Sequence, residues 1–207
     1  LFFLFKLKIG QKFSKSYFIN NMSNEKSILV TWDVDGTLIL GADEAVQIHQ
    51  VAFKEACEQL FNQPCDVPEK FLDVPLNGIM DQKVVKLMIE KLGHQPTMEL
   101  INQVVQIMEN RFETECNCIP QIPPGVINVL DKLYAMPNVR IGIVSGNLPG
   151  IGHRKLKLAG IDKYFDRDQI IELGYFDERK DALVKAREDG EKLNNGKKFD
   201  TCIHVGD

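Results

Sequence analysis

Acidic, hydroxyl and glycine residues stand at the ends of three apolar, strand-like segments of this chain. Asp33 closes the segment 28–33, and polar residues follow the segments 139–144 and 201–205. Because the ligand site of a parallel α/β sheet lies beyond the carboxyl ends of its strands, we expect these residues to share one edge of a sheet. The residues expected there are Asp33, Asp35, Gly36, Thr37, Ser145, Gly146, Asn147 and Asp207.

Three carboxylates at one edge would repel one another and raise each other's pKa unless a cation lies between them. An oxygen-rich site with open positions suits Mg²⁺, which binds few carboxylates and keeps room for a substrate phosphate. The pattern therefore predicts phosphoryl transfer. Asp33 could attack phosphorus to give an aspartyl-phosphate, and Asp35 could act first as general acid and then as base for water. Gly36 permits a tight turn whose N–H groups hold phosphate oxygens.

Three short stretches resemble motifs of the haloacid dehalogenase-like hydrolase superfamily. DVDGTL (33–38) resembles the first motif, which is DxDGT in the phosphatases of the superfamily. VSGN (144–147) is similar to the second motif, in which a Ser or Thr at a strand end binds phosphate. HVGD (204–207) resembles the opening of the fourth motif, whose acid binds Mg²⁺. The motifs follow one another in order after strand-like segments, and the resemblance covers almost all of residues 28–207.

The third motif of the superfamily is a single basic residue ahead of the last strand. ERKDALV (178–184) matches it best with Lys180, although Arg179 is one residue away. The segments 145–165 and 77–82 are similar to a phosphoglycolate-phosphatase-like branch, in which a helical cap faces the active site.

The resemblance implies a role for each matching residue. Asp33 would be the nucleophile and a metal ligand, and Asp35 the acid and base, with its backbone carbonyl on the metal. Asp207 would be a further Mg²⁺ ligand, and Lys180 would also restrain Asp33. The phosphate-binding residues would be Gly36, Thr37, Ser145, Gly146, Asn147 and Lys180.

Two other groups of polar residues have simpler interpretations. Asp81 precedes a helical pattern, which predicts a helix N-cap in preference to a substrate contact. The four histidines are scattered along the chain, and we predict a catalytic role for none of them: His49, His94, His153 and His204.

The elements that would hold these residues alternate between strand and helix after residue 120. Such alternation is typical of right-handed crossovers and a parallel sheet. By contrast, the roughly 80 residues after the first strand are nearly all helical in pattern, which is too long for an ordinary connection between strand and helix. The predicted fold is therefore a Rossmann-like α/β core of residues 22–40 and 120–207, with residues 41–119 inserted as an α-helical cap.

The two ends of the chain are unusual. Residues 1–21 contain four lysines and no acid, and we expect them to be a non-native or disordered leader ahead of Met22. At the other end, the parent fold continues past the fourth motif, so the core is expected to be incomplete at Asp207.

Composition narrows the class of partner. The 207 residues have a formal net charge of −4, so no basic stripe is left for nucleic acid. No apolar run approaches the roughly 20 residues that span a membrane. Five irregularly spaced cysteines argue for reduced thiols and a cytoplasmic location.

The function predicted from the residues and the resemblance is a Mg²⁺-dependent phosphatase for a small phosphomonoester, a phosphorylated metabolite. Two alternatives stay open. One is a phosphomutase, which returns the phosphoryl group to its substrate. The other is a truncated or non-catalytic protein of the same superfamily.

Overall fold

The computed structural model describes residues 2–6, 26–40, 44–76, 78–166 and 168–206. Five strands form one parallel sheet in the order β1-β5-β2-β3-β4. Their bounds are Phe2–Lys6 (β1), Ile28–Trp32 (β2), Val139–Ser145 (β3), Ile170–Leu173 (β4) and Thr201–Gly206 (β5). Neighbouring strands that are not consecutive along the chain require crossover connections, as the alternating pattern predicted.

Strand β1 belongs to the range predicted as a leader. Its backbone pairs in parallel with β5, with Phe2 opposite Cys202 and Lys6 opposite Gly206. The assignment of residues 1–21 as a leader stays a prediction.

Burial on both faces explains the continuous apolar strands. All five residues of β2 are buried, and six of the seven residues of β3 are buried. Helices must cover both faces of such a sheet, so its strands read as apolar runs and not as an alternating pattern. Asp33 and Asp35 follow β2, and Ser145 and Asn147 close and follow β3, so these polar side chains come together at one edge.

Seven α-helices accompany the sheet within the described residues, and one short 3₁₀ helix spans Asp162–Tyr164. None of these helices is both long and apolar enough to cross a membrane. The α-helices are Glu44–Phe61 (α1), Pro68–Leu72 (α2), Asp81–Lys91 (α3), Met98–Glu115 (α4), Val126–Ala135 (α5), Pro149–Leu158 (α6) and Arg179–Leu193 (α7).

The helices between β2 and α5 form a layer with an apolar core of its own. Phe53 of α1, Met88 of α3 and Phe112 of α4 belong to this cluster. Leu148 and Ile151, at the beginning of α6, pack into the same cluster. The helical layer therefore rests on the loop after β3, directly above the strand ends, as an inserted helical cap does. The exact boundary of the cap at residues 41–119 stays a prediction.

Backbone contacts also join the cap to the core. The N–H of Asp81 donates to the carbonyl of Gly146 at 2.9 Å. A Cβ atom at Gly146 would lie 2.9 Å from the carbonyl oxygen of Ile79, which is closer than real Cβ atoms approach. Position 146 therefore requires glycine because the cap backbone lies against it.

Candidate active site

A cavity of about 240 Å³ lies between the cap and the carboxyl ends of β2 and β3. Its wall combines polar residues from the core with mostly apolar residues from the cap. The core side consists of Asp33, Asp35, Gly36, Ser145, Gly146, Asn147 and Arg179. The cap side consists of Val46, His49, Gln50, Phe53, Leu76, Gly78, Ile79, Asp81 and Val84.

Asp33 lies directly after β2 and is only 4% exposed. One of its carboxylate oxygens accepts the N–H of Val34 at 2.8 Å, and the other contacts the guanidinium of Arg179. Burial raises the pKa of Asp33, and the charge of Arg179 and a hydrogen bond from Ser145 offset part of that rise. The carboxylate of Asp33 is thus largely buried and contacts one cation.

Asp35 has a different partner. Its carboxylate accepts two hydrogen bonds from Nζ of Lys155, at 2.8 and 2.9 Å, and one from Nδ2 of Asn147 at 2.8 Å. Burial alone would raise the pKa of Asp35, but the charge of Lys155, that of His49 and these hydrogen bonds together bring it below its usual range. Each of the two aspartates therefore has its own cation.

The loop after β3 supplies the remaining polar groups. Oγ of Ser145 accepts a hydrogen bond from Nδ2 of Asn147 at 2.8 Å, and both residues are buried. Pro149 stands at the start of α6, where its fixed φ suits the first helical turn. The chain therefore turns from β3 into α6 within a few residues, and this short turn holds Ser145 and Asn147 beside Asp35.

The turn after β2 contains Gly36 at φ 74°, a conformation in which an L side chain is strained. Gly36 lines the cavity. Thr37 is half-buried in the same turn, where its N–H donates to the carbonyl of Val34 at 3.3 Å, and it is not among the lining residues.

A family model for haloacid dehalogenase-like hydrolases matches residues 29–207 of the chain. The chain belongs to the haloacid dehalogenase-like hydrolase family. No curated protein sequence matches it significantly.

Solved structures of low sequence identity share the fold. A family IA, variant 3 haloacid dehalogenase hydrolase from Entamoeba histolytica is 20% identical, with a TM-score of 0.55 over 79% of this chain and 70% of that one. A CbbY from Rhodobacter sphaeroides, in complex with xylulose-(1,5)-bisphosphate, is 17% identical, with a TM-score of 0.53 over 88% and 87%. A predicted phosphoglycolate phosphatase from Haemophilus somnus is 18% identical with a TM-score of 0.47, which is too low to show a shared fold. The match covers 75% of this chain, and this chain spans 65% of that protein's length.

Two residues that the family motifs point to, Lys180 and Asp207, are not among the described residues of the cavity wall. Lys180 is exposed and does not line the cavity, whereas the preceding Arg179, the first residue of α7, contacts Asp33. Asp207 lies outside the residues that the structure describes.

Lys155 is a site residue that the sequence motifs did not single out. It is fully buried, and its Nζ also donates to Oδ1 of Asn147 at 2.7 Å. A signal was present, because Lys155 lies four residues after Ile151 and seven after Leu148, on the apolar face of α6. A lysine on such a face needs a partner, and Asp35 supplies it.

The sequence also did not predict the contact between His49 and Asp81. His49 lies on the buried face of α1, and its Nε2 is 2.9 Å from Oδ2 of Asp81. The prediction of Asp81 as a helix N-cap is wrong, because Met80 occupies that position and Asp81 begins α3. Instead, the carboxylate of Asp81 accepts the N–H of Leu148 at 2.8 Å and so joins the cap to the loop after β3.

The donor chemistry at the end of β2 suits a hard divalent cation. The carboxylate of Asp33 and the backbone carbonyl of Asp35 are oxygen ligands of the kind that Mg²⁺ prefers. Within the described residues, no group of three Asp, Glu, His or Cys side chains is arranged to hold a metal ion. Asp207 would be the next ligand by the family pattern.

Arg179 and Lys180 can be distinguished by a matched pair of substitutions. Removal of the cation that contacts Asp33, in Arg179→Ala, is expected to lower kcat/KM for a phosphomonoester by roughly 10²-fold, because charge at the transferring group loses its fixed partner. Lys180→Ala removes an exposed cation and is expected to change kcat/KM by less than about twofold. Steady-state kinetics of both variants measure the difference, and the reverse order would assign the phosphate contact to Lys180.

Proposed function

We propose that this chain is a Mg²⁺-dependent phosphatase that hydrolyses a small phosphomonoester through an aspartyl-phosphate intermediate. The observation that carries the proposal is that Asp33 and Asp35 line one cavity and each contacts a different cation, Asp33 contacting Arg179 and Asp35 contacting Lys155. Two carboxylates in different electrostatic environments can take the separate roles of nucleophile and acid–base catalyst.

In the first step, an oxygen of Asp33 attacks phosphorus and the bond between phosphorus and the leaving-group oxygen breaks. Asp35 donates its proton to that oxygen, so the leaving group departs as an alcohol. The free site holds Asp35 as a carboxylate, and an approaching phosphate dianion raises its pKa and favours the protonated form that this step needs.

In the second step, Asp35 removes a proton from water while the water oxygen attacks phosphorus. The bond between phosphorus and Asp33 breaks, and inorganic phosphate leaves. Arg179 and the hydroxyl of Ser145 would bind the phosphoryl oxygens through both steps. A bound Mg²⁺ would supply charge neutralisation and orientation at the phosphoryl group.

The redox state of the cysteines is the basis for a proposed cellular compartment. All five are free thiols: Cys57, Cys65, Cys116, Cys118 and Cys202. A reducing, cytoplasmic compartment is therefore part of the same proposal.

Phosphate release from p-nitrophenyl phosphate tests the function directly. We expect turnover with Mg²⁺ and its loss on addition of EDTA, restored by excess Mg²⁺. Acid quenching during turnover should trap a phosphorylated peptide that contains Asp33. Absence of release under all conditions would contradict a phosphatase, and transfer of phosphate to a sugar phosphate in place of water would indicate a mutase.

A further inference from the structure

The two sides of the cavity differ in polarity. On the core side, both cations contact the reacting carboxylates, Arg179 at Asp33 and Lys155 at Asp35. On the cap side, five apolar residues line the cavity: Val46, Phe53, Leu76, Ile79 and Val84.

The ionisable residues on the cap side are His49 and Asp81. Nδ1 of His49 lies 3.3 Å from Nζ of Lys155, and its Nε2 lies 2.9 Å from Oδ2 of Asp81. The one carboxylate among the described residues of the cap wall is therefore already in contact with the imidazole beside it.

Two lysines of the cap form ion pairs with carboxylates that do not line the cavity. Nζ of Lys83 is 2.8 Å from Glu178, and Nζ of Lys86 is 2.6 Å from Asp177. Among the described residues that line the cap side, no lysine or arginine is present to pair with a second anionic group of the substrate. A carboxylate or second phosphate placed there would lose hydration and lie near Asp81 without a counter-charge.

The volume of the cavity limits the size of the substrate. About 240 Å³ is less than the roughly 300–1,000 Å³ of pockets that hold drug-sized ligands. The space suits a phosphoryl group with a short leaving group. Gln50 offers an amide, which can donate to and accept from a hydroxyl.

We infer that the substrate is a monophosphate ester of a small, uncharged alcohol, and that acids and bisphosphates are disfavoured. This inference rests on the proposed phosphatase function and adds the class of leaving group. The cap selects through the polarity of its wall, which accommodates hydroxyl and apolar groups and offers an added anion no lysine or arginine among the described lining residues.

A pair of substrates that differ in one group tests this inference. 2-Hydroxyethyl phosphate and 2-phosphoglycolate share the phosphate ester and chain length, but one ends in a hydroxyl and the other in a carboxylate. With Mg²⁺ present, we expect kcat/KM to be about tenfold or more higher for 2-hydroxyethyl phosphate. p-Nitrophenyl phosphate provides the baseline for phosphatase activity.

Substitutions at Gln50 provide the second arm. Gln50→Lys places a cation on the cap wall and should increase the ratio of kcat/KM for 2-phosphoglycolate to that for 2-hydroxyethyl phosphate by about tenfold. Gln50→Met has similar length without charge; it removes the amide that would bind the hydroxyl, so kcat/KM for 2-hydroxyethyl phosphate should fall, but without an added cation kcat/KM for 2-phosphoglycolate should not rise as it does in Gln50→Lys. Circular dichroism of both variants checks that they fold.

The outcomes separate the two proposals. Hydrolysis of p-nitrophenyl phosphate with equal or better use of 2-phosphoglycolate by the wild-type chain would overturn the inference and leave the phosphatase function standing. No hydrolysis of any of the three esters would overturn both.

Discussion

Asp33→Asn is expected to abolish Mg²⁺-dependent phosphate release, with kcat reduced by roughly 10⁴-fold or more. The amide has nearly the same shape as the carboxylate, so contacts with Val34 and Ser145 can persist, but its oxygen is a poor nucleophile toward phosphorus. No phosphorylated peptide should then be trapped by acid quenching. The measurement is kcat for p-nitrophenyl phosphate beside peptide mass spectrometry.

Thermal unfolding distinguishes lost chemistry from lost folding in the same variant. Burial raises the pKa of Asp33, which means that ionising it at neutral pH is less favourable in the folded than in the unfolded state. Replacing the carboxylate with a neutral amide removes that penalty, so we expect the melting temperature to be retained or raised.

Asp73→Asn is a matched control for this substitution. Asp73 is exposed at the end of α2 with φ 57°, a conformation that Asn tolerates as well as Asp. Its kcat should remain within about twofold of wild type, since Asp73 is exposed and does not line the cavity. Retained turnover in Asp33→Asn would refute the assignment of Asp33 as nucleophile.

Lys155→Met is expected to lower both stability and activity. The substitution keeps the apolar stem but removes a buried ammonium that donates to Asp35 and Asn147, leaving the carboxylate of Asp35 without its cation. Loss of one partner of a buried pair typically costs about 3 kcal/mol or more in the free energy of unfolding. The acid–base step should also slow, because Asp35 loses the group that fixes its position, and we expect kcat to fall by roughly 10²-fold.

A control and a double variant make this prediction specific. Lys157→Met changes an exposed lysine on the same helix and should alter neither stability nor kcat appreciably. Combining Lys155→Met with Asp35→Asn removes both charges and should recover part of the lost stability without recovering activity. Chemical denaturation gives the free energies, and full additivity of the two single changes would show that the pair does not interact.

Much of the site could be predicted from the sequence because strand ends are a local property. The apolar runs that end at Asp33 and Ser145 define the carboxyl ends of β2 and β3, and parallel strands bring those ends to one edge. The placement of Asp33, Asp35, Ser145 and Asn147 around one cavity follows from these strand ends. The family follows from the same motifs in their order.

The sequence could not decide in the same way whether Arg179 or Lys180 contacts Asp33. Successive residues at the start of a helix point about 100° apart, so a single residue of offset decides which of them faces the cavity. That direction depends on how α7 packs against the sheet, which is a property of the tertiary structure. The structure places Arg179 at Asp33 and leaves Lys180 exposed.

The connection between Lys155, His49 and Asp81 likewise depends on long-range packing. These residues come from α6, α1 and α3, and they contact one another only because the cap helices lie on the loop after β3. The sequence by itself determined the strand ends, the order of the motifs and the presence of a helical insertion, because each is encoded by local pattern. Only the tertiary structure decided which cation faces which carboxylate and which residues the cap presents to the cavity, since those contacts join residues far apart in the chain.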